Sequence, residues 1–551
     1  MATPRQLADR FHAAYLAARP FEASMDGIPG YDDRVPDASE AGDAAWRSTV
    51  EAVLAEARAL DRADLSGADD VTLACLLEYG EQELLELDSA AVEHTVTAMP
   101  YAGPPVLLSV AATTLLGDAR AADDYLVSLG RSGAWIDQHT ERLRAGAARG
   151  RLPVAPLVAQ AIAWADEVLA VPVPQALTLP RPPDGGDGGD AWRAARDAVA
   201  ADVVVPAIRR WVDLLRELLP RARPAERAGL AHLPGGDADY ARAIRTHTTL
   251  PLTADELHRT GLDEIAVLEQ RAVELGATLG LRDLAAVHAA LRGSTVGVRP
   301  EEAMAAAVRA VRRAEARAAD TLPPPLPAPC AVAAMPHVVA ATGMAPHYTP
   351  PHQDGGRPGT YWFNTELPAG AGWDVEVVAF HEAVPGHHLQ LSRTLLLGDL
   401  PDLQRQRFLT VYGEGWALYA EQLAEEMGLY SDTRALLGAV SDSLLRAARL
   451  VVDTGLHAYG WSRAEALAFA VAHVPQPVDV LASEIDRYIA WPGQALAYLV
   501  GKAELLRARD RARERLGADF TLSGFHGAVL DAGSLPMPVL HRSVDAWSDR
   551  R

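Results

Sequence analysis

Cysteine is nearly absent from this sequence: Cys75 and Cys330 are the only two among 551 residues. They lie far apart and do not form the spacing of a metal site. A protein of this length that depended on structural disulfides would normally carry more cysteines. We therefore interpret both as buried or incidental thiols, which fits a reducing compartment and predicts a cytoplasmic protein.

Long apolar runs are also missing. No stretch approaches the roughly 18 consecutive apolar residues that a membrane-spanning helix needs. The first twenty residues contain no uninterrupted apolar segment and no convincing cleavage site, so we predict no secretory signal. The sequence thus predicts that a membrane is not among the partners of the protein.

Positive charge is in short supply. Lys and Arg total 51 against 73 for Asp and Glu, which gives a formal net charge of −22. A surface this acidic repels the phosphates of nucleic acids and the head groups of anionic lipids. We therefore expect no nucleic-acid partner. The oligomeric state stays open.

The residues that are abundant favour helix. Hydrophobic residues make up 49% of the chain and aromatic residues only 6%, while alanine, leucine and arginine are frequent and are among the best helix formers. Apolar residues recur at three- and four-residue steps through most of the chain. The pattern predicts a mainly α protein.

Two parts, 1–322 and 323–551, are predicted, packed as one body. We place the boundary at the proline-rich run PPPLPAP, because such a run is extended and semi-rigid. The first part is mainly helical, with a flexible loop at 181–190 that is rich in Gly, Asp and Pro. In the second part, 330–339 and 360–365 carry β-branched and aromatic residues between Gly and Pro, which predicts a small sheet.

One apolar segment, AFHEAVPGHHLQ, carries the chemistry. It places His381, Glu382, His387 and His388 within eight residues of a predicted helix. Burying so many polar groups without partners is costly, so a metal site is favoured over hydrogen-bonded core histidines. In the common zinc motif two His at i and i+4 bind the ion and a Glu between them activates water. Here position i+4 is Pro385, which cannot be a ligand.

The position of the second His ligand has two solutions. On an unbroken helix His388 returns to the face of His381, but the two Cα atoms would then be about 10.5 Å apart, which is awkward for one tetrahedral ion. Pro385 and Gly386 favour a bulge, since proline removes a helical donor and clashes with the preceding turn. A bulge brings His387 to the place of an i+4 ligand. We favour His387 and keep His388 as the alternative.

A third ligand is expected from EGWALYAEQLAEE, on the following predicted helix. Glu414 and Glu421 are seven residues apart and share a helix face, so either can point toward the ion. For Glu425 and Glu426 a solvated acidic face is the better interpretation. We favour Glu414, which lies between two glycines and beside a tryptophan, as the ligand. Glu421 would then orient a ligand His through a hydrogen bond.

The segments HEAVPGHHLQ and EGWALYAE resemble the bacterial domain-of-unknown-function 885 family, regarded as gluzincin-like zinc peptidases. Other blocks similar to this family, such as RPGTYWFNT and RYIAWPGQALAYLVGK, extend the resemblance over nearly the whole chain. The family pattern favours the first His of PGHH, which supports His387. EGWA is also similar to the EGFA segment of zinc aminopeptidases, whose Glu is a ligand, which supports Glu414. The resemblance implies a helical body with a deep cleft and the small sheet next to the first His-bearing helix.

The activity implied is that of a zinc-dependent hydrolase that cleaves amide or peptide bonds of short peptides. His381, His387 and Glu414 would hold Zn²⁺, which lowers the pKa of water toward neutrality. Glu382 would take the proton of that water and deliver it to the leaving amine.

A donor to the transition state is expected from blocks that resemble the family. Tyr488 and His457 are the leading candidates and Tyr498 is a third, which we also assign to substrate binding. For each of them packing in the core is an alternative of about equal weight.

Substrate contacts are predicted at three more residues. TYWFNT would supply an edge strand on which an extended peptide pairs, with Tyr361 and Asn364 contacting the substrate; a plain structural strand is the alternative. Arg487 would receive a substrate carboxylate through its planar fork, although an ordinary salt bridge is the more common role of such a residue.

Two other functions remain open. An amidase that acts on a specialised small-molecule metabolite would use the same zinc chemistry, and nothing in the sequence separates it from a peptidase. A non-catalytic, metal-binding helical scaffold is disfavoured by Glu382, because an inert site does not need a general base beside its first ligand.

Overall fold

The computed structural model describes residues 2–180, 187–293, 299–340, 344–352, 357–366 and 372–550. Their backbone is mainly helical and contains one small three-stranded sheet, which confirms the predicted fold class. The predicted deep cleft stays a prediction. No helix of the described ranges combines the length and apolar character needed to cross a bilayer.

Thirteen α-helices precede the proline-rich run within the described ranges. They are α1 (Pro4–Ala18), α2 (Pro20–Asp26), α3 (Glu40–Arg58), α4 (Gly67–Ser89), α5 (Pro104–Thr113), α6 (Ala119–Ala148), α7 (Ala155–Val168), α8 (Asp187–Val199), α9 (Val205–Leu218), α10 (Gly236–Thr248), α11 (Ala254–Thr278), α12 (Leu284–Gly293) and α13 (Pro300–Arg317).

Two predictions for this part of the chain can be compared with the structure. The capping signal at Thr253 and Glu256 is confirmed, because both hydrogen bonds of a capping box start α11. The predicted loop at 181–190 is too long at its end, since α8 already begins at Asp187. Residues 181–186 lie outside the described residues.

Eleven further helices follow within the described ranges. They are α14 (His337–Ala340), α15 (Val375–Glu382), α16 (His387–Leu396), α17 (Asp402–Gln406), α18 (Thr410–Glu426), α19 (Thr433–His457), α20 (Arg463–His473), α21 (Val478–Ala490), α22 (Ala497–Leu516), α23 (Leu522–Leu530) and α24 (Met537–Asp549).

The sheet consists of β1 (Ala331–Ala334), β2 (His347–Thr349) and β3 (Thr360–Phe363), in the order β1-β3-β2. Strand β3 pairs in parallel with β1 and antiparallel with β2. The sequence analysis predicted β1 and β3 but missed the three-residue β2. The prediction that TYWFNT is an edge strand is therefore wrong: β3 is the middle strand, and both of its hydrogen-bonding edges are occupied.

The hydrophobic core joins residues from both predicted parts of the chain. The largest buried cluster contains Leu7 and Phe11 of α1 together with Phe380 of α15, Trp416 of α18 and Leu540 of α24. A second cluster is formed mainly by α5, α6, α7 and α9. The division at 322/323 remains a prediction about the sequence, since one cluster extends across it.

Helices α18 and α22 cross at two glycines, beside the predicted ligand Glu414. A Cβ atom added at Gly415 would lie 2.5 Å from the Cα of Gly501, closer than real Cβ atoms come to a neighbour. The backbones of the two helices therefore touch at these glycines. The contact fixes the position of Glu414, the neighbour of Gly415, relative to α22.

We expect Gly415→Ala to lower the free energy of unfolding by about 1–3 kcal/mol, because the added methyl forces the helices apart. Gly130→Ala is the matched control: Gly130 lies inside α6, and a Cβ there would meet no atom within 4 Å. This control should be neutral or raise stability by about 0.5–1 kcal/mol, since alanine loses less backbone entropy on folding. Denaturant unfolding of both variants in the presence of a chelator measures the difference, and equal stabilities would contradict the close crossing.

Candidate metal centre

The helix that carries the first His is interrupted, as Pro385 and Gly386 predicted. Helix α15 ends at Glu382 and α16 begins at His387. Any Cβ at position 386 would collide with the carbonyl oxygens of Phe380 and His381, so only glycine fits. The indole Nε1 of Trp416 donates a hydrogen bond of 2.9 Å to the carbonyl of Pro385. The break is thus fixed by a close backbone approach and by a bond from α18.

This break brings the three predicted ligands together. The Nε2 atoms of His381 and His387 each lie 3.4 Å from Oε2 of Glu414. The three side chains offer ligand atoms that all lie within 4.8 Å of one another. His381 and His387 come from the two sides of the break and Glu414 comes from α18, so the group is assembled by tertiary packing.

The distances from the two histidine nitrogens to the oxygen of Glu414 indicate what kind of interaction the group suits. A charge-assisted N–H···O bond is about 2.7–2.9 Å long, and 3.4 Å exceeds that range. Two atoms bound at about 2.0–2.1 Å to one tetrahedral ion are separated by about 3.3–3.4 Å. The group therefore fits a small tetrahedral cation between the three atoms better than it fits direct hydrogen bonds.

Glu421 lies behind His381. Nδ1 of His381 donates a hydrogen bond of 2.7 Å to Oε1 of Glu421, which is buried. This bond places the proton on Nδ1 and leaves Nε2 to face Glu414. The structure thus gives Glu421 the position that the sequence analysis assigned to it, beside a ligand His.

The group attracts positive charge strongly. Burial disfavours protonation of His381, but Glu414 and Glu421 outweigh this effect and raise the pKa of His381 to about 10. Burial likewise opposes ionisation of Glu414, yet His381 and His387 hold the pKa of this carboxyl well below its usual range. A buried and a half-buried carboxylate facing two imidazoles form a site in which a cation can replace a proton.

His388 points elsewhere. Its Nε2 donates to the carbonyl oxygen of Ala328 at 2.8 Å, and its Nδ1 is 3.0 Å from the hydroxyl of Tyr348. Both ring nitrogens therefore have partners outside the group. Of the two alternatives, the structure brings His387 to the group and gives His388 a role in holding the sheet against α16.

Glu382, the predicted base, is held by the sheet. The backbone N–H of Tyr348 in β2 donates to Oε2 of Glu382 at 2.8 Å. Tyr361 of β3 is near the same carboxylate: burial, and then the charge of Glu382, raise the pKa of its hydroxyl well above the usual range. This hydroxyl is buried and has no hydrogen-bond partner among the described residues.

Two of the predicted transition-state donors are fully engaged in the core. The Nδ1 of His457 accepts from the backbone of Leu230 at 3.1 Å, and its Nε2 donates to the carbonyl of Tyr488 at 3.0 Å. Burial accordingly lowers the pKa of His457 to about 3. The hydroxyl of Tyr488 is bonded to Arg449 and Glu484. Neither His457 nor Tyr488 therefore has a free hydrogen-bond donor to offer at the metal ligands.

The predicted substrate-binding residues are placed differently from one another. Asn364 donates both amide hydrogens to the carbonyls of Ala340 and Met344, so it ties a loop together. Arg487 is bonded through all three nitrogens to Glu484 and Gln494. Tyr498 is only half-buried, and the charge of Glu414 contributes to raising the pKa of its hydroxyl after burial.

Several residues of the centre were missed by the sequence analysis. Trp416 was noted only as a neighbour of Glu414, and Tyr348 was not singled out at all. Phe408 has its ring centroid 6.2 Å from that of His387, yet it is 47% exposed. The sequence signal that could have pointed to Phe408 is an aromatic residue just before the helix that carries EGWA.

A comparison with protein-family models matches residues 20–544 to a family described as "Bacterial protein of unknown function (DUF885)". The match covers nearly the whole chain, so the protein belongs to this family, as the resemblance implied. No curated protein matches the chain.

Two solved structures are similar to this chain over nearly its whole length. A "putative lipoprotein from Colwellia psychrerythraea" is 26% identical, with a TM-score of 0.91 and coverage of 100% of both chains. A "putative lipoprotein of unknown function from Shewanella oneidensis" is 16% identical, with a TM-score of 0.73 and coverage of 98% of this chain and 99% of the other. The second likeness shows the fold alone.

We expect purified protein to bind about one divalent cation per chain, and His387→Ala and Glu414→Gln to abolish tight binding because each removes a ligand. Glu421→Gln should weaken binding by about 10–100-fold, since it removes the group that orients His381. Metal content by mass spectrometry and titration against a chelator measure both effects.

His388→Ala is the control for this series. It removes an imidazole from the adjacent position, so it should retain the cation even if the loss of its bonds lowers the melting temperature. Loss of the cation in His388→Ala, with retention in His387→Ala, would reverse the assignment.

Proposed function

We propose that this member of the DUF885 family is a zinc-dependent hydrolase that cleaves amide bonds in short peptides. One observation carries the proposal: two imidazole nitrogens lie 3.4 Å from a single carboxylate oxygen, next to a glutamate at the following residue, Glu382. Such a set supplies three protein ligands and a base, with a fourth position left for water or substrate.

His381, His387 and Glu414 would hold the ion. Two imidazoles and one carboxylate form a donor set that suits zinc, which has no strong geometric preference and accepts nitrogen and oxygen ligands. When bound, zinc supplies a Lewis acid that makes water nucleophilic near neutral pH and polarises a carbonyl group. The rest of the chemistry falls to side chains of this chain.

Glu382 acts as the general base and then as the general acid. It takes a proton from the attacking water and delivers it to the nitrogen of the leaving amine when the C–N bond breaks. The bond from the N–H of Tyr348 holds one carboxylate oxygen at 2.8 Å, which fixes the side chain during both transfers. The β2 strand therefore has a direct role in positioning the base.

The oxyanion of the transition state needs a hydrogen-bond donor from the protein. Tyr361 and Tyr498 are better candidates than His457 and Tyr488, because the latter two have their donors and acceptors bonded to other groups. The unpartnered, buried hydroxyl of Tyr361 supports its assignment most directly. A polar group left unpaired in a protein interior is costly, and substrate would relieve that cost.

An apolar residue of the substrate would contact Phe408. This ring lies against His387 and is 47% exposed, so part of its surface is open to an apolar group of a ligand at the ion. A peptide is therefore favoured over a purely polar metabolite, while a specialised small amide with an apolar group remains the alternative substrate.

A cytoplasmic location remains our prediction. Cys75 and Cys330 are both unpaired and buried, which is compatible with a reducing compartment. The solved relatives described as lipoproteins would instead favour a location at the cell envelope. Fractionation of the native host with an antibody to this protein decides between the two: detection only in the membrane fraction would reject the cytoplasmic assignment.

We expect Glu382→Gln to retain the metal and to lower kcat on peptide substrates by about 10²–10⁴-fold, because the amide cannot accept the proton. The glutamine can still accept the bond from Tyr348, so folding should be unchanged. A hydrolysis assay on a library of short peptides, monitored by mass spectrometry with zinc-loaded protein, measures the effect. A wild-type protein that binds zinc but hydrolyses no peptide or small amide would reject the proposed function, as would full activity in Glu382→Gln.

A further inference from the structure

Next to the metal centre, two buried arginines share one carboxylate. Arg449 of α19 and Arg487 of α21 both bond to Oε2 of Glu484, at 2.8 and 3.0 Å. The side chains of Arg449 and Arg487 are 7% and 10% exposed, and that of Glu484 is 21% exposed. The two arginines thus share one carboxylate within a largely buried cluster.

The other charged groups nearby have partners of their own. Arg446, one turn earlier on α19, also faces the ring of Tyr498, at 5.8 Å from its centroid, and is paired with Asp442. The carboxylate of Glu414 is engaged by the two imidazoles of the metal centre.

A further buried carboxylate, that of Asp453, acts on Arg487. The two arginines therefore have two carboxylates near them, and what the cluster leaves unmatched is a hydrogen-bond donor. A buried donor without an acceptor is unfavourable.

Arg449 has the spare donor. Its Nε bonds to the hydroxyl of Tyr488 at 2.9 Å and its Nη2 to Glu484, but its Nη1 is buried and has no hydrogen-bond partner among the described residues. Arg487, in contrast, uses Nη1 for a bond of 2.6 Å to Gln494. The residue that the sequence analysis selected is therefore saturated, and its neighbour in space is not.

Tyr498 connects this cluster to the metal centre. The guanidinium of Arg449 lies 4.4 Å from the centroid of its ring. Tyr498 precedes Gly501 by three residues, about one helical turn, and Gly501 contacts Gly415, the neighbour of Glu414. The half-buried ring thus lies against the guanidinium of Arg449, and the charge of Glu414 acts on its hydroxyl.

The cluster also reaches the surface. Tyr101 is 42% exposed. Its ring is 4.9 Å from that of Trp491, the C-cap residue directly after α21. Arg487, Glu484 and Arg449 all act on the hydroxyl of Tyr101. Glu484, Tyr101 and Tyr498 are thus the partly exposed residues beside the two arginines.

We propose that Arg449, supported by Tyr498, forms a subsite that binds a carboxylate of the substrate. A planar guanidinium with an unpartnered N–H group matches a carboxylate, whose oxygen would accept from it. The proposal rests on the proposed function and makes it more specific: the substrates are peptides or amides that carry a free carboxylate, either at the C-terminus or on an acidic side chain.

Binding of two small probes to zinc-replete protein tests the subsite without requiring turnover. N-acetyl-phenylalanine should bind about tenfold or more tightly than N-acetyl-phenylalanine amide, because only the acid forms a charge-assisted bond to Arg449. In Arg449→Gln this preference should fall to about one. Calorimetric titration measures each affinity, and N-acetyl-glutamate amide against N-acetyl-glutamine amide distinguishes a side-chain carboxylate from a C-terminal one.

Arg509→Gln is the matched control. Arg509 is also a buried arginine with one nitrogen, Nε, that has no partner among the described residues, but it lies against Tyr419 and Glu426 and not against Tyr498. This variant should keep the preference for the acid. Arg449→Lys keeps the charge and should retain part of the preference for the acid. It replaces Arg449→Gln in the test if that variant does not fold.

Equal binding of acid and amide by the wild type would overturn the subsite. A preference that persists in Arg449→Gln would also overturn it and would indicate that the carboxylate binds the metal instead. If the preference is present and depends on Arg449 but no peptide is hydrolysed, the proposed function fails and the carboxylate subsite stands. If peptides are hydrolysed equally well as acids and as amides, the hydrolase stands and the subsite fails.

Discussion

The candidate site depends on the interruption between α15 and α16. The chain turns at residues 383–386 only because Gly386 can press against the carbonyls of Phe380 and His381, and because Trp416 of α18 holds the carbonyl of Pro385. On a continuous helix His387 would not share a face with His381. The same tryptophan is two residues from Glu414, so one contact sets the position of all three ligands.

The surrounding structure serves to hold charged groups in buried and half-buried positions. Glu421 fixes His381, the N–H of Tyr348 fixes Glu382, and the glycine crossing of α18 and α22 places Glu414 beside Tyr498. Buried polar groups of this kind are tolerated when each has its partner. Among the described residues the exceptions include the hydroxyl of Tyr361, Nδ1 of His387, Oε2 of Glu421 and Nη1 of Arg449. We propose that substrate supplies a partner to the first and the last of these.

Most of the helical fold could be predicted, because helix is encoded locally by propensity, spacing and caps. The capping box at Thr253 and Glu256 and the strands β1 and β3 were recognisable from short segments. Strand β2 was not, since three residues between glycines and prolines carry too little pattern. Its absence from the prediction made β3 look like an edge strand and hid the donor to Glu382.

The sequence by itself determined the kinds of groups at the site and their pairing along the chain: two histidines around a proline-glycine break, a glutamate beside the first, and two glutamates on the next helix. These follow from local spacing, which fixes which residues share a helix face. Only the tertiary structure decided which of His387 and His388 faces Glu414, which hydroxyls are free, and that Arg449 rather than Arg487 has a spare donor. Those outcomes depend on contacts between residues far apart in the chain, where the partner of each polar group is set by packing and not by its neighbours in sequence.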